Sequence, residues 1–472
     1  MGKVLKNGGN MDPSQRLLQE AQRLLSEGRD SEVKWLLERT AIDALNLLGS
    51  FYSQKIRRPD LAVSCLKTAS SIDRGNYTVS SNLAHVLNMD GRFQEAAPES
   101  LRAVSTSRSE VVGPLMNCAV VMNNCQRNEE AIVHYRRCLE LEDNLMTRYN
   151  LACCLLLNGD YAEGWRYYDS RLRAFEKTLE FEHRYTMPRW DGSLLDGKSI
   201  VVYSEQGIGD LINFCRFLPE LYERGASKVI LESQEPLAGL MEFNYPNVEV
   251  VPRGDDNYPP APHADMAISI CSLTGALGYD SPEKINGEPY LYADGRMHPR
   301  SLEKRGNLRV GISWAGNPDH AHDYMRSCPV RHFSNLAVDG VDLYSLQKDT
   351  WPIRDWKGKQ VNVSQGKETI NMTDLSPFMK DFLDTAACLK NLDLVITIDS
   401  AVAHLAGAMG VPVWMLIPTI PDWRWLKHRP DTAIWYDSMR IYRQSSLYDW
   451  PGVFTRVQGD LVAFAADKAN LG

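Results

Sequence analysis

A seven-residue segment brings two glycines and an acid to the junction between two apolar patterns. Residues 204–210 read SEQGIGD; the run SIVVY precedes them and the helix-like segment LINFCRFLPELYERGA follows. The carboxylate of Asp210 could accept a proton as a general base. It could equally serve as a helix N-cap, a position that aspartate favours. The Gly-x-Gly pair lacks the third glycine of the dinucleotide fingerprint, so it argues poorly for a nicotinamide-dependent oxidoreductase.

Polar and small residues also follow three later apolar runs, where buried strands are expected to end. Residues 313–317 (SWAGN) follow LRVGI, Gln347 and Lys348 follow VDLYSL, and DSA at 399–401 follows LDLVITI. In open α/β sheets, ligands bind at the carboxyl ends of the strands. These residues, together with the 204–210 segment, are therefore the candidate binding positions.

The elements that carry these residues alternate between strand and helix after residue 198. Short apolar runs typical of buried strands are separated by segments with apolar residues on one helical stripe. This alternation predicts parallel sheets covered by helices. A second strand–helix series begins after the stretch 294–306, so we predict two Rossmann-like domains at 198–300 and 301–472. Two such domains facing each other across a cleft make the α/β GT-B architecture.

The first third of the chain contains an internal repeat. Similar phrases begin with asparagine at 82, 117 and 150, at intervals of 35 and 33 residues. A small residue recurs at matching offsets in successive units: Ala62, Ala96, Ala131 and Gly164. A period of about 34 residues with two amphipathic helices resembles the tetratricopeptide repeat. We predict a multidomain chain that opens with an all-α tetratricopeptide-repeat solenoid at 15–172, preceded by a disordered N-terminus at 1–14 and followed by a connector at 173–197.

Such a solenoid has a concave face that can hold an extended peptide. It could also act only as a scaffold or as a dimer interface. The candidate interactions are therefore a protein or peptide acceptor in the repeat groove and homo-oligomerisation through the repeats.

Composition narrows the class of protein. The 472 residues carry a formal net charge of −8, which argues against a surface that coats nucleic acid. The first fifteen residues lack the apolar core of a signal peptide, and the sequence has no run long enough to span a bilayer, so we expect a cytoplasmic protein. The ten cysteines include no CxxC pair, which favours buried thiols over a zinc ribbon.

Five motifs carry a resemblance to a known group of proteins. They are EQGIGD, SWAGNP, SLQK, the block DTAACLKNLDLVITIDSAVAHLAGAMGVPVWMLIP, and DWRW. Over residues 183–460 the chain resembles bacterial and phage tetratricopeptide-repeat proteins whose C-terminal half is related to glycosyltransferase family 9, the ADP-heptose–lipopolysaccharide heptosyltransferases. Because true heptosyltransferases lack the repeats, the resemblance does not imply their lipopolysaccharide acceptor. A repeat solenoid joined to a GT-B core is also similar to the O-linked N-acetylglucosamine transferases, which glycosylate proteins.

The resemblance implies roles for particular residues. Asp210 matches the general base of the family, and Gln206, Gly207 and Gly209 form the loop on the acceptor side. The residues expected around the donor, at the helix that begins near Ala401, are Ser313, Trp314, Ala315, Gly316, Arg326, Gln347, Lys348, Asp399, Ser400, Ala401 and His404. A helix N-terminus and basic side chains can stabilise a departing diphosphate. With no Asp-x-Asp triplet in the sequence, we expect no metal, and no cofactor besides a nucleotide-diphosphate sugar as donor substrate.

The predicted function is a metal-independent, inverting glycosyltransferase that moves a sugar from a nucleotide-diphosphate sugar to an acceptor presented by or near the repeats. The alternative is a repeat-based interaction scaffold whose GT-B half is catalytically inactive. As a residue at a helix start, Asp210 is expected to keep a low pKa and to stay ionised.

Three further features leave alternatives open. His404 could contact the donor or be a packed core histidine. The segment WRW at 423–425 could stack on a base or sugar, but tryptophans between domains are more often packing residues. The cluster of Asp and His residues in NPDHAHD, at 317–323, has a spacing that suits no standard metal site, and we interpret it as a polar loop over the donor.

Overall fold

The computed structural model divides the chain into two compact units, residues 1–125 and 126–472. The residues that it describes are 12–254, 260–295, 302, 308–320, 323–348, 353–354 and 360–471. The predicted disordered N-terminus lies outside the described residues up to residue 11, and so does the predicted domain break near residue 300. Asp12 already caps the first helix, since its side chain accepts a hydrogen bond from the backbone of Ser14.

The first unit consists of successive helices joined by short turns. They are α1 (Pro13–Ser26), α2 (Asp30–Phe51) with a π-helical turn at Tyr52–Ile56, α3 (Pro59–Ile72), α4 (Tyr77–Met89), α5 (Phe93–Thr106) and α6 (Val112–Asn124). Neighbouring helices pack together because small residues occupy their crossings; Ala62 and Ala96 are fully buried. Within this first unit, asparagines of successive helical repeats also bond to each other, as Asn82 Nδ2 donates to Asn46 Oδ1 at 2.8 Å. The helical repeat predicted from the sequence is present.

The second unit begins with helices that continue this pattern. They are α7 (Asn128–Leu141), α8 (Leu145–Asn158), α9 (Tyr161–Tyr168), α10 (Arg171–Ala174) and α11 (Glu176–Glu182). Gly164 permits the close crossing of α9 over α8, because a Cβ there would lie 2.7 Å from Leu156 Cδ2. Helices α7–α9 thus share a compact unit with the sheets that follow, whereas the sequence pattern groups them with the solenoid.

The first sheet has four parallel strands in the order β3-β2-β1-β4. Its strands are β1 (Ser199–Tyr203), β2 (Lys228–Gln234), β3 (Glu249–Arg253) and β4 (Met266–Ser269), and its helices are α12 (Ile208–Phe214), α13 (Leu218–Glu223), α14 (Ala238–Asn244) and α15 (Leu273–Ala276). The helix expected directly after the 204–210 segment is interrupted by a 3-10 turn at Cys215–Phe217.

The second sheet has six parallel strands in the order β12-β11-β10-β5-β6-β9. Its strands are β5 (Leu308–Ser313), β6 (Val341–Ser345), β9 (Thr373–Asp374), β10 (Leu394–Ile398), β11 (Val413–Ile417) and β12 (Met439–Arg443), and the short antiparallel pair β7 (Ile353–Arg354) and β8 (Gln360–Val361) lies outside it. The helices of this region are α16 (Asp323–Arg326), α17 (Phe382–Leu389), α18 (Ala401–Ala408) and α19 (Trp450–Leu471).

Counted along the chain, the second sheet has the doubly wound order 3-2-1-4-5-6, and the first has the 3-2-1-4 part of it. One continuous core includes Ile200 of the first sheet and Val395 of the second. The predicted fold class, a helical repeat followed by two Rossmann-like parallel sheets, is therefore confirmed. The sequence analysis did not identify β3, β9, β12 or α19, and the domain boundaries drawn from it stay predictions. Over the described part of the chain, no helix combines the length and apolar character needed to cross a membrane.

Candidate functional site

Asp210 lies in the first turn of α12, just beyond the carboxyl end of β1. The N-cap of this helix is Gly207, so Asp210 is the third helical residue and not the cap itself. Its Oδ2 accepts a hydrogen bond from the Gly207 backbone N–H at 2.9 Å. Asp210 therefore stabilises the helix start from within the helix, as the acidic residue of a capping box does.

The other carboxylate oxygen of Asp210 pairs with an arginine from the far end of the chain. Arg424 Nη2 donates to Asp210 Oδ1 at 2.5 Å. The same guanidinium donates through Nε to Asn213 Oδ1 at 3.1 Å and through Nη1 to Asp422 Oδ1 at 2.9 Å. Its plane lies over the Trp423 ring, 4.4 Å from the centroid, and the side chain is 6% exposed. Asp210 is thus held by a buried cation that is itself fixed on three sides.

The sequence analysis did not assign this role to Arg424. For the WRW segment the sequence favours packing over stacking on a base or sugar, and the structure shows Trp423 and Trp425 both buried. An arginine between two buried tryptophans is the signal that could have identified the residue, because a guanidinium in such a place requires a carboxylate partner.

The environment of Asp210 raises the pKa of its carboxyl group. Burial is the largest cause, since it disfavours the charged form; the Arg424 charge opposes it, and the charges of Asp422 and Glu205 add to it. The expectation of a low pKa from the helix start is therefore wrong. The side chain is still 20% exposed, so solvent can reach it. A raised pKa brings a carboxylate closer to the range in which it accepts protons well.

The loop that carries Asp210 lies directly against α18. A Cβ on Gly209 would lie only 2.9 Å from His404 Cδ2, so this position requires glycine for the helices to approach. The loop is fixed on its other side, where Gln234 Nε2 donates to the Gln206 carbonyl at 2.8 Å. The structure thus brings the 206–210 loop and the 399–404 block into contact.

His404 takes part in a buried polar chain. Its Nδ1 lies 2.8 Å from the Tyr436 hydroxyl, which also accepts a hydrogen bond from Asn213 Nδ2 at 2.9 Å. Its Nε2 lies 3.7 Å from Asp399 Oδ1, beyond hydrogen-bond range. Burial, with help from nearby arginines, lowers the pKa of His404 well below its usual value, so the ring is neutral. Burial also raises the pKa of Tyr436 to about 12, so the phenol stays protonated.

Asp399 follows β10 and is bonded from two directions. Trp425 Nε1 donates to its Oδ2 at 2.8 Å, and Arg326 Nη1 donates to its backbone carbonyl at 3.2 Å. Burial raises the pKa of Asp399, and the charge of Asp422 adds to this effect. The WRW segment therefore contacts both carboxylates that the sequence singled out, Asp210 through its arginine and Asp399 through a tryptophan.

Ser400 occupies the N-cap position of α18, and Ala401 is the first helical residue. The Ser400 hydroxyl makes no capping hydrogen bond; it lies 3.3 Å from Thr397 Oγ1. The predicted cap residue is therefore in place, but its side chain leaves the first backbone N–H groups of α18 to other acceptors. A helix N-terminus of this kind favours an anion.

The SWAG turn after β5 is occupied by a glutamine side chain. Gln347 Oε1 accepts from Ser313 Oγ, Trp314 N and Ala315 N at 3.1, 3.1 and 3.0 Å. The backbone N–H groups of Trp314 and Ala315 are therefore satisfied within the protein and are not open to a ligand. Gln347 is thus a residue that fixes the turn.

Gly316 makes room for the arginine beside it. A Cβ at Gly316 would lie 2.5 Å from both Arg326 Nη2 and Asp323 Oδ1. Its own N–H donates to Ser327 Oγ at 3.0 Å. Arg326, held by Asp323 at 2.9 Å and 21% exposed, therefore lies between the SWAG turn and Asp399.

Lys348 has a different environment from Arg326. It is exposed, and its Nζ donates to the Lys380 carbonyl at 3.1 Å. Arg326 and Lys348 were both predicted as cations on the donor side. Arg326 contacts the Asp399 carbonyl, whereas Lys348 contacts the Lys380 carbonyl.

The NPDHAHD segment is described except for residues 321–322, so His322 lies outside the described residues. Asp323 is buried and bonded to Arg326 and Ser327. Across the described ranges, no three His, Cys, Asp or Glu side chains are grouped so that they could hold a metal ion.

Comparisons with known proteins give one curated relative and several structural neighbours. No family model matches the chain. It is similar to FlbA of Caulobacter vibrioides, with 27% identity over 350 residues that cover 69% of this chain and 56% of FlbA. The chain thus spans about half the length of the curated relative that it matches.

Among solved structures, the chain is similar to a glycosyl transferase family 9 protein from Veillonella parvula, with 14% identity, coverage of 59% of this chain and 98% of that chain, and a TM-score of 0.40. It is also similar to the first TPR domain of human RPAP3, with 24% identity, coverage of 24% and 88%, and a TM-score of 0.23.

Proposed function

We propose that the protein is a glycosyltransferase that moves a sugar from a nucleotide-diphosphate sugar to a hydroxyl group of an acceptor. Glycosyl transfer needs a proton acceptor for that hydroxyl and a partner for the departing diphosphate. The contact of α12 with α18 carries the proposal, because it brings Asp210 beside the segment that precedes and opens α18.

The donor diphosphate is assigned to the carboxyl edge of the second sheet. Strands β5 and β10 are neighbours at the point where the strand order reverses, and ligands of doubly wound sheets bind there. The N-terminus of α18 and the guanidinium of Arg326 both lie at this point and favour negative charge. This set can stabilise a leaving diphosphate without a metal ion.

Asp210 is assigned as the base of a single displacement. The acceptor hydroxyl gives its proton to Asp210 while its oxygen forms the new bond to the anomeric carbon. The bond from that carbon to the diphosphate oxygen breaks, and the electron pair leaves with the diphosphate. Attack from the side opposite the leaving group inverts the configuration of the anomeric carbon.

The acceptor is assigned to the side of the first sheet, where the repeat helices of the second unit lie. The Trp165 ring of α9 meets the Trp423 ring edge-on at 5.3 Å, and the Lys427 backbone N–H donates to the Leu157 carbonyl at 3.0 Å. The last repeat helices thus pack on the same loop that carries Arg424. An acceptor presented by or near the repeats, with a protein or peptide in their groove, would enter beside Asp210.

The test begins with binding. A panel of nucleoside diphosphates is added to the full chain and the melting temperature is followed. A ligand at 100 times its Kd stabilises the folded state by about 2.7 kcal/mol. The diphosphate that binds then identifies the donor sugars to assay for transfer. Stabilisation by a nucleoside diphosphate, with turnover of the matching donor, supports the proposal.

The inactive scaffold remains the alternative, and one observation favours it. Both oxygens of Asp210 already have protein partners, Gly207 and Arg424, as a purely structural aspartate would. The absence of a response to every nucleoside diphosphate would decide for the scaffold.

A further inference from the structure

We infer that Arg424 is a positioning residue that holds the Asp210 carboxylate in one orientation and in its charged form. The inference rests on the proposed function only in naming Asp210 as the base. The sequence motifs assign Arg424 no contact with Asp210, and it comes from the loop between β11 and β12 of the second sheet, whereas Asp210 follows β1 of the first.

The guanidinium of Arg424 is held in place by contacts other than its ion pair with Asp210. Asn213 accepts from Nε and lies one turn beyond Asp210 on α12, so helix and arginine are bonded at two points. Asn213 is in turn held by the Tyr436 hydroxyl. The ring of Phe214 lies 5.1 Å from the guanidinium carbon on a further side. A planar fork fixed in this way offers Nη2 to Asp210 in one direction, which a flexible lysine ammonium could not do.

Of the charged groups that face Asp210, Arg424 is the positive one bonded to it. Asp422 and Glu205 are negative, and His404 on α18 is neutral. Glu205 is already paired, since Arg171 Nη2 donates to it at 2.7 Å and Ser269 Oγ at 2.6 Å. Removing the Arg424 charge would leave the half-buried Asp210 among negative charges, and its proton would then be lost only at higher pH.

Asp422 gives the opposite case within the same cluster. It is 39% exposed and shares Arg424 with Asp210. Its negative charge raises the pKa of Asp210, so its removal moves the titration of Asp210 to lower pH. Two substitutions at contacting residues should therefore move one titration in opposite directions, a pattern that general loosening of the structure would not produce.

The experiment compares Arg424→Gln, Arg424→Lys and Asp422→Asn in the full chain without substrate. The titration of Asp210 is followed by carbon-13 NMR of aspartate carboxyl carbons and assigned by the signal missing in Asp210→Asn. We expect Arg424→Gln to raise the titration midpoint of Asp210 by about one pH unit or more, and Asp422→Asn to lower that midpoint. Arg424→Lys keeps the positive charge, so its midpoint should lie close to the wild-type value. The lower limb of the pH profile of kcat/KM should move in the same directions.

Arg309→Gln is the matched control. Arg309 also pairs with one aspartate, at 3.0 Å from Asp393, but this pair lies where β5 and β10 begin, at the opposite edge of the sheet. It should leave the Asp210 titration unchanged. The inference is overturned if the Asp210 midpoint does not move in Arg424→Gln, or if it rises in Asp422→Asn as well.

If Arg424→Gln does not fold, Asp422→Asn alone decides, and an unmoved midpoint in that variant counts against the inference. If the wild-type chain turns over no nucleotide-diphosphate sugar, the proposed function fails. The NMR titration then still decides whether Arg424 controls Asp210.

Discussion

The carboxyl edges of the two sheets share a strand arrangement and differ in chemistry. In each sheet the first and fourth strands along the chain are neighbours: β1 and β4 in the first, β5 and β10 in the second. The first edge presents carboxylates, Glu205 and Asp210, each bonded to a buried arginine. The second presents a helix N-terminus with Arg326 beside it.

The difference shows how one topology can serve two roles. Strand order determines where a ligand can lie, because it places the loops of neighbouring strands at one edge. The side chains then decide what the edge attracts: paired acids suit the movement of a proton, and backbone N–H groups with a guanidinium suit an anion. Neither edge alone supplies both requirements of glycosyl transfer, so the contact through Gly209 and His404 matters.

The largest effect is expected at the first edge. Asp210→Asn removes the proposed proton acceptor, so turnover should fall by on the order of 10²–10⁴ while nucleotide affinity is retained. If Asp210 were only an N-cap, Asp210→Asn would be stable, since Asn also caps helices. The structure predicts otherwise: an Asn offers one acceptor oxygen where Gly207 and Arg424 both donate, so unfolding free energy should fall by about 1–3 kcal/mol. Turnover, nucleotide affinity and melting temperature are measured together.

Asp393→Asn is the control for that variant. Asp393 pairs with Arg309 in the same way but lies at the amino edge of the second sheet. It should lose stability and keep turnover. Near-wild-type turnover in Asp210→Asn would show that the base lies elsewhere.

A substitution at the second edge should weaken the binding of the nucleoside diphosphate. Arg326→Ala removes the guanidinium between the SWAG turn and Asp399. A hydrogen bond to a charged group contributes about 1.5–3 kcal/mol, so affinity for the nucleoside diphosphate should fall roughly 10- to 100-fold. Calorimetric titration of wild type and variant measures it. Unchanged affinity, with the variant folded, would remove Arg326 from the donor site.

The contact between the two edges can be tested by adding one methyl group at Gly209. Gly209→Ala places a Cβ 2.9 Å from His404 Cδ2, and overpacking of this kind costs about 1–3 kcal/mol. Both unfolding free energy and turnover should fall, because α12 and α18 must separate. Gly459→Ala in α19 is the control: its Cβ would meet no atom within 4 Å, so this exposed helical site should gain about 0.5–1 kcal/mol. Equal stability of the two variants would contradict the described contact.

The smallest effect is expected at Lys348. The sequence analysis places it with Arg326, but it is exposed and bonded to the Lys380 carbonyl. An exposed charge contributes about 0.2–1 kcal/mol, so Lys348→Ala should weaken nucleotide binding only a few-fold. A loss as large as that of Arg326→Ala would show that Lys348 moves to the donor on binding.

The sequence predicted those features of the fold that depend on the local pattern of apolar and polar residues. The ends of β1 at Tyr203 and β10 at Ile398 were predicted, and the end of β5 to within one residue, because buried runs end there in polar residues. It missed what depends on partners far along the chain. Nothing near Asp210 in sequence indicates Arg424, and nothing near Ser313 indicates that Gln347 would occupy the turn. The direction of the Asp210 pKa was missed for the same reason, since burial by distant segments outweighs the helix start.

Backbone hydrogen exchange with and without a saturating nucleoside diphosphate tests the division of roles between the two edges most directly. We predict slower exchange at 399–404, at the start of α18, and little change at 206–210, because the proposed function places the diphosphate at the second edge. Protection confined to 206–210 would place the nucleotide on the first edge and contradict the account.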